Sequence, residues 1–304
     1  MPVAPINGTS LYYEVEGEGD WVIFVHGGGS THLAWWRQVY FLRDKYKCLT
    51  YDARGLGQSE GVEDAPAGPK DLLALMDHLK IEKAHLNGWS AGGWAVSGIA
   101  QQHPERVLSL TMTDTPFGFY TKALNKWSGE MLDKFNKGFD IRVNSIGPWH
   151  ARTDPKADFM DHQLARLNAG VRPPSPTDYT KRFGNVYEHM RDTKPVDYSK
   201  FPVPTLFTVG ELDGLTLPWL IRDTAKAVGG AKLVEFPRSG HGPHIEQSDT
   251  YNYVLLEFMR NADAKRRDAK FRPPKWSLID YFQQVNGNAP RGAQGAARAA
   301  AKKA

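Results

Sequence analysis

The sequence predicts an α/β fold: a mostly parallel sheet with helices on both faces and one helical insertion. Three observations lead there. Short continuous apolar runs such as "WVIFV" (Trp21–Val25) have the composition of strands buried on both sides. Longer runs between them carry apolar residues at helical spacing, as in "DLLALMDHL", where Leu72, Leu75, Met76 and Leu79 share one face. The alternation stops between residues 116 and 200, where Trp127, Met131, Phe135, Phe139, Trp149, Phe159 and Tyr187 recur at helix-like intervals. It then resumes.

Taken in order, "SLYYEVEG" alternates and ends in turn residues, which predicts an edge hairpin. "WVIFV" is a buried strand, "AWWRQVYFL" a helix and "KCLTYD" a second strand. After the helix at Asp71–Leu79, "KAHLNG" reads as a strand, "AGGWAVSGIAQQ" as a helix and "RVLSLTMTD" as a strand ending at Asp114. Beyond the insertion come "PTLFTVG" (strand), "LPWLIRDTAKAV" (helix), "AKLVEF" (strand) and "YNYVLLEFM" (helix). Repeated strand–helix alternation favours a parallel sheet covered on both faces. The organisation expected is one core from residues 1–115 and 201–288, a helical cap at 116–200, and a disordered tail at 289–304. That last stretch is alanine-rich, with too little apolar bulk to pack.

The 304 residues are 41% hydrophobic and 24% charged, ordinary values for a soluble globular chain. Lysine and arginine exceed aspartate and glutamate by 38 to 34. Residues 289–304 supply that excess through Arg291, Arg298, Lys302 and Lys303, so the body is near neutral and nothing favours nucleic acid or an anionic membrane as partner. No apolar run has the length of a membrane span. The single cysteine, Cys48, and a start without a charged-then-apolar leader are expected of a cytoplasmic protein. The histidines lack zinc-motif spacing, and "GGGSTH" lacks the lysine of a phosphate loop, so neither a metal nor a cofactor is expected.

The stretch "LNGWSAGGWA" sets Ser90 between Gly88 and Gly92, where a strand gives way to a helix. A serine on that corner needs a strained backbone to lift its hydroxyl clear of the sheet, and side chains at the flanking positions would collide. Together with "HGGG" (His26–Gly29), "DARGLGQS" (Asp52–Ser59), "GELDGLTLP" and "SGHGPHIEQ", in that order, the sequence resembles the α/β-hydrolase superfamily in its serine-nucleophile branch. The likeness runs from about Leu11 to Arg260 and is greatest to small-molecule carboxylesterases and enol-lactonases.

The resemblance implies a catalytic triad of Ser90, Asp213 and His241, with Asp114 the rival acid and His244 the rival base. It implies an oxyanion hole from the backbone N–H groups of Ala91 and Gly28, with Gly27 next in line. Asp52 and Arg54 are expected to hold their own loop together. Trp89 stands where many members have histidine. Trp35, Trp89, Phe117 and Trp149 are the expected substrate-binding residues, although Trp35 and Trp36 could equally pack beneath the pocket. His244 is expected at the pocket or the surface. The implied reaction is cofactor-free cleavage of a small apolar or aromatic ester or lactone through an acyl-enzyme. The same residues would serve a hydroxynitrile lyase, a perhydrolase, a C–C bond hydrolase or a small-ligand receptor. The oligomeric state is open.

Overall fold

The computed structural model describes residues 2–136, 186–274 and 277–282. Within them eight strands form one sheet: β1 (Val3–Ile6), β2 (Thr9–Glu16), β3 (Trp21–Val25), β4 (Lys47–Tyr51), β5 (Ala84–Trp89), β6 (Val107–Thr113), β7 (Thr205–Gly210) and β8 (Lys232–Phe236). Their spatial order is β1-β2-β4-β3-β5-β6-β7-β8. β1 pairs antiparallel with β2, and β2 with β4, as the edge hairpin predicts; every later pairing is parallel.

The side-chain alternation of the strands explains why each reads as a continuous apolar run. In β3, Ile23 and Val25 join a core cluster on one face with Leu72, Leu75 and Met76 of helix α2 (Gly68–His78) and Val96 and Ile99 of α3 (Gly93–Gln102). Val22 and Phe24 point the other way, into a cluster with Val39 and Leu42 of α1 (Trp36–Leu42). Both faces are dry, so neither parity of the strand tolerates a polar residue. Each such Val, Ile or Phe contributes roughly 1.5–3 kcal/mol of transfer free energy. The predicted helix "AWWRQVYFL" is in fact two pieces, a 3₁₀ turn at His32–Trp35 followed by α1.

The chain leaves the sheet at the end of β6 and returns at β7. In between lies α4 (Lys122–Asn136), the start of the expected cap, and residues 186–192 are also helical. Trp127, Met131, Tyr187 and Met190 form a third cluster there with Phe117, Leu215 and Leu220. Leu220 belongs to α5 (Pro218–Ala227). After β8 come the short α6 (Pro243–Glu246) and the long α7 (Ser248–Arg267), whose Tyr251, Val254 and Leu255 complete the second cluster. Residues 277–282 fold back onto the body. Ile279 is buried there, and Glu257 accepts from the Ser277 hydroxyl and the Leu278 N–H. The expected tail at 289–304 lies outside the described residues, as does most of the expected cap.

Candidate active site

All the motif residues collect beyond the C-terminal ends of the parallel strands, where an open α/β sheet gathers its ligands. At the end of β5 the backbone turns through Ser90 at φ 50, a left-handed conformation that costs a non-glycine residue energy. The neighbours make that turn possible. A Cβ on Gly88 would sit 2.5 Å from Val96 Cγ2, and one on Gly92 would collide with the Val25 and His26 carbonyls. The elbow is therefore pressed directly onto the end of β3. Gly27 lies just above it, its hydrogen side 3.1 Å from Ser90 Cβ, measured to where a Cβ would stand.

Past β7, Asp213 is buried and its carboxylate is fully engaged. Oδ1 accepts from the Leu215 and Thr216 N–H groups (2.8 and 3.0 Å). Oδ2 accepts from the Thr216 hydroxyl (2.5 Å) and pairs with His241 Nδ1 (2.9 Å). Burial by itself would raise the pKa of Asp213. The charge of His241 and the bonds from His241, Thr216 and Leu215 outweigh it and hold the carboxyl below its usual range. His241 is 5% exposed, and its other nitrogen, Nε2, has no hydrogen-bond partner among the described residues. The indole of Trp89 reaches across to the base, donating from Nε1 to the His241 carbonyl at 3.0 Å, with the two rings 5.8 Å apart. The residue preceding the elbow serine is thus tied to the loop bearing the histidine.

The rival residues lie nearby in different states. Asp114, at the end of β6, is 0% exposed, has φ 47, and accepts one bond, from Gly210 N–H to Oδ1 (2.9 Å). Burial and the charge of Asp213 push its pKa well above the usual carboxylate value. His244 is not at the surface. It is 0% exposed between Trp35 and Trp89, with ring centroids at 4.3 and 4.8 Å, and burial followed by the charge of His241 pushes its pKa well below the ordinary value. Asp114, Asp213 and His241 place donor atoms within 4.8 Å of one another. Four hydrogen-bond donors already occupy the lone-pair directions of Asp213, which makes this a hydrogen-bonded chain and leaves no carboxylate oxygen there for a cation.

The glycine turn and the "DARGLGQS" turn are held to each other. Asp52 is completely buried and accepts from the His32 N–H (2.7 Å) and the Gln58 N–H (2.8 Å), while its Oδ1 also meets His32 Nδ1 (2.7 Å). The Ala53 N–H donates to His26 Nε2 at 3.0 Å. Arg54 does not pair with Asp52; it grips Asp71 of α2 through Nε and Nη2 (2.5 and 2.7 Å). Gly28 and Ala91 line one hollow with Val25, Tyr51, Leu56 and Ala95, about 480 Å3 including solvent at its mouth. Neither Ser90 nor His241 lines it.

Of the expected substrate contacts, Trp35 is a correction. It is 0% exposed, packed on Phe24 of the central strand β3, His244 and Tyr251 in the second core cluster, because its 3₁₀ turn directs the indole onto the face of the sheet. Trp36 is the exposed one, with Arg37 over its ring. Phe117 is 7% exposed and stacks on Trp94, two residues past Gly92. Trp149 lies outside the described residues. Sequence reasoning missed Thr216, although an aspartate three residues before a threonine is the spacing of a side chain capping its own turn. A second serine–histidine–aspartate chain, Ser109–His85–Asp263 (2.8 and 3.4 Å), joins β5, β6 and α7. Its serine is 1% exposed, so it is a strut.

A family model described as the alpha/beta hydrolase fold matches residues 20–248. The chain belongs to that family. Among curated α/β hydrolases it is 26% identical over 296 residues to a proline iminopeptidase of Lactobacillus helveticus, covering 85% of this chain and 97% of that one. It is 27% identical over 261 residues to the pimeloyl-[acyl-carrier protein] methyl ester esterase of Aliivibrio salmonicida, covering 84% and 98%. Among solved α/β hydrolases, the enol-lactonase of Burkholderia xenovorans LB400 superposes with a TM-score of 0.63 at 24% identity, over 85% of this chain and all of that one. Among the described residues no helix is long and apolar enough to cross a membrane.

Proposed function

We propose that this α/β hydrolase cleaves a small carboxylic ester or lactone through an acyl-enzyme formed on Ser90. The observation that carries the reading is the Asp213–His241 bond of 2.9 Å, with His241 Nε2 left open and Trp89 linking that histidine to the serine elbow. Asp213 fixes His241 with its proton on Nδ1, so Nε2 is the basic nitrogen. Nε2 takes the Ser90 proton as Oγ attacks the carbonyl carbon. His241 then returns that proton to the departing alkoxide, and later draws a proton from water to release the acid. The N–H groups of Ala91, which follows Ser90 directly, and of Gly28, in the turn whose Gly27 lies against Ser90 Cβ, stabilise the oxyanion, each contributing roughly 3 kcal/mol.

Support for an apolar or aromatic substrate comes from the third cluster. Phe117, Trp94 and Trp127 stack beside the elbow, and Trp127 Nε1 donates to the Leu215 carbonyl in the acid loop at 3.2 Å. The described helices of the expected cap, at 122–136 and 186–192, are read as part of a cover over the site. The ester-cleaving relative favours an ester; the iminopeptidase relative makes a proline amide the substrate to compare against.

The test is a fluorophosphonate probe, with aryl esters, enol-lactones, cyanohydrins and a prolyl arylamide as substrates. Ser90 is expected to be the labelled residue, and Ser90→Ala to lose roughly a millionfold in kcat on the ester. Labelling elsewhere, or turnover that survives in Ser90→Ala, would falsify the acyl-enzyme.

A further inference from the structure

We infer that Asp114 and Asp213 are one carboxyl pair bearing a single negative charge, with the proton on Asp114 Oδ2 and the charge on Asp213, so that Asp114 is a positioning residue which sets the charge beneath His241. This deepens the proposed function and rests on its assignment of His241 as the base.

The argument begins with a count of donors. Asp213 receives four: two backbone N–H groups, one hydroxyl and the His241 ring N–H. Every one of them favours a carboxylate, and none of these sites would accommodate an added acid proton without breaking a bond. Asp114 receives a single donor, the Gly210 N–H on Oδ1, and its Oδ2 is buried with no partner among the described residues. An ionised oxygen left bare in a dry site is among the costliest arrangements in a protein, and an uncharged O–H with no acceptor costs far less. Two buried carboxyls with oxygens within 4.8 Å of each other strongly disfavour ionising together. The donor asymmetry decides which one keeps the proton.

The groups acting on Asp114 come from every surrounding element. Asp213 stands on the loop after β7, His241 on the loop after β8, Glu246 on α6 and Tyr251 on α7. His241 alone among these can become positive, and it is already committed to Asp213. Glu246 accepts from the Gly240 N–H, and the Tyr251 hydroxyl is bonded to Thr113. Asp114 is close to this cap as well: its backbone carbonyl lies 3.1 Å from the Thr216 hydroxyl, whose single proton goes to Asp213. The consequence is a site in which the histidine feels one anion. It also holds a second carboxyl able to take over the charge if the first is neutralised.

The experiment has two arms. Infrared spectroscopy of the wild-type protein at neutral pH should show a protonated-carboxyl C=O band that is absent from Asp114→Asn. The asparagine is isosteric and keeps an acceptor for Gly210. The midpoint of the acid limb of kcat/KM should stay in place in Asp114→Asn. In the second arm, Asp213→Asn is compared with the double variant Asp114→Asn/Asp213→Asn. The single change lets Asp114 ionise, and it should retain at least about tenfold more kcat than the double, which should fall by roughly 10⁴ from wild type. A missing infrared band, an acid limb displaced by about one unit or more in Asp114→Asn, or equal activities of the single and double variants would each overturn the inference. If His241→Ala proves harmless, the proposed catalytic roles fail, while the infrared arm still reports the proton on Asp114.

Discussion

Removing the Asp52 carboxylate should unfasten two turns of the proposed site at once. Asp52 is 0% exposed, and three donor groups converge on it: the His32 N–H, the His32 ring and the Gln58 N–H, all within 2.8 Å. Although burial works to raise its pKa, the bond with His32 and the two backbone N–H bonds hold Asp52 ionised below the usual carboxylate range. In Asp52→Ala each donor is stranded, at roughly 1–3 kcal/mol apiece, and charge-assisted partners fall at the upper end. Since the three are not additive, the expected loss is about 3–5 kcal/mol, the range for breaking one side of a buried pair. That is a large fraction of the roughly 5–15 kcal/mol that holds a domain folded.

Asp52→Asn keeps one acceptor oxygen and should lose about half as much. Chemical denaturation followed by tryptophan fluorescence measures both. The turn carrying Gly28 is fixed to Asp52's neighbour through the Ala53–His26 bond. Ester turnover by folded Asp52→Asn should therefore fall with little change in KM. A loss under about 1 kcal/mol for Asp52→Ala would refute the claim that this carboxylate fastens the turns.

Three further outcomes are expected. Gly92→Ala drives a methyl into the Val25 and His26 carbonyls, so it should destabilise by several kcal/mol, about as much as other strained core insertions, and the melting temperature will show it. Trp89→Phe removes the indole N–H that holds the His241 carbonyl while keeping an aromatic ring. We expect roughly a tenfold lower kcat at nearly unchanged stability, read from ester kinetics and a thermal melt together. His26 and His244 are held neutral by burial, with folded pKa values below the ordinary 6.5. Below pH 6.5 the unfolded chain binds the extra protons, so stability is full above that point and declines as pH falls, by up to about 1.4 kcal/mol per pH unit for each histidine. His244→Phe should make that decline shallower, as denaturant midpoints between about pH 5 and 6.5 will measure.

Much of this architecture is legible in the letters. β3 and β7 are apolar at both parities because both faces of the sheet are covered, and "GWSAGG" demands a turn because only glycine leaves room on either side of Ser90. The pairing of Asp213 with His241 follows from order along the chain once the fold is known. What the letters hide is direction. Trp35 and Trp36 are adjacent and chemically identical, yet the 3₁₀ turn sends one into the core and leaves the other in solvent. Asp114 and Asp213 each follow a parallel strand; the difference between them is the two N–H groups and the hydroxyl that the 215–216 turn folds back onto Asp213. His244 looks as available as His241 until Trp35 and Trp89 close around it. The partner of Arg54 is equally unreadable, because Asp71 comes from a helix that only tertiary packing brings beside the turn.

Each reacting group proposed here projects from a loop or elbow at the rim, and none of them spends a ladder hydrogen bond of β3 through β8 to do so. Chemistry and scaffold are therefore separable inheritances in this chain. A lineage could exchange the nucleophile, lengthen the roof or retire the acid without unravelling the platform underneath, and selection for a new substrate would have little reason to touch the buried strands at all.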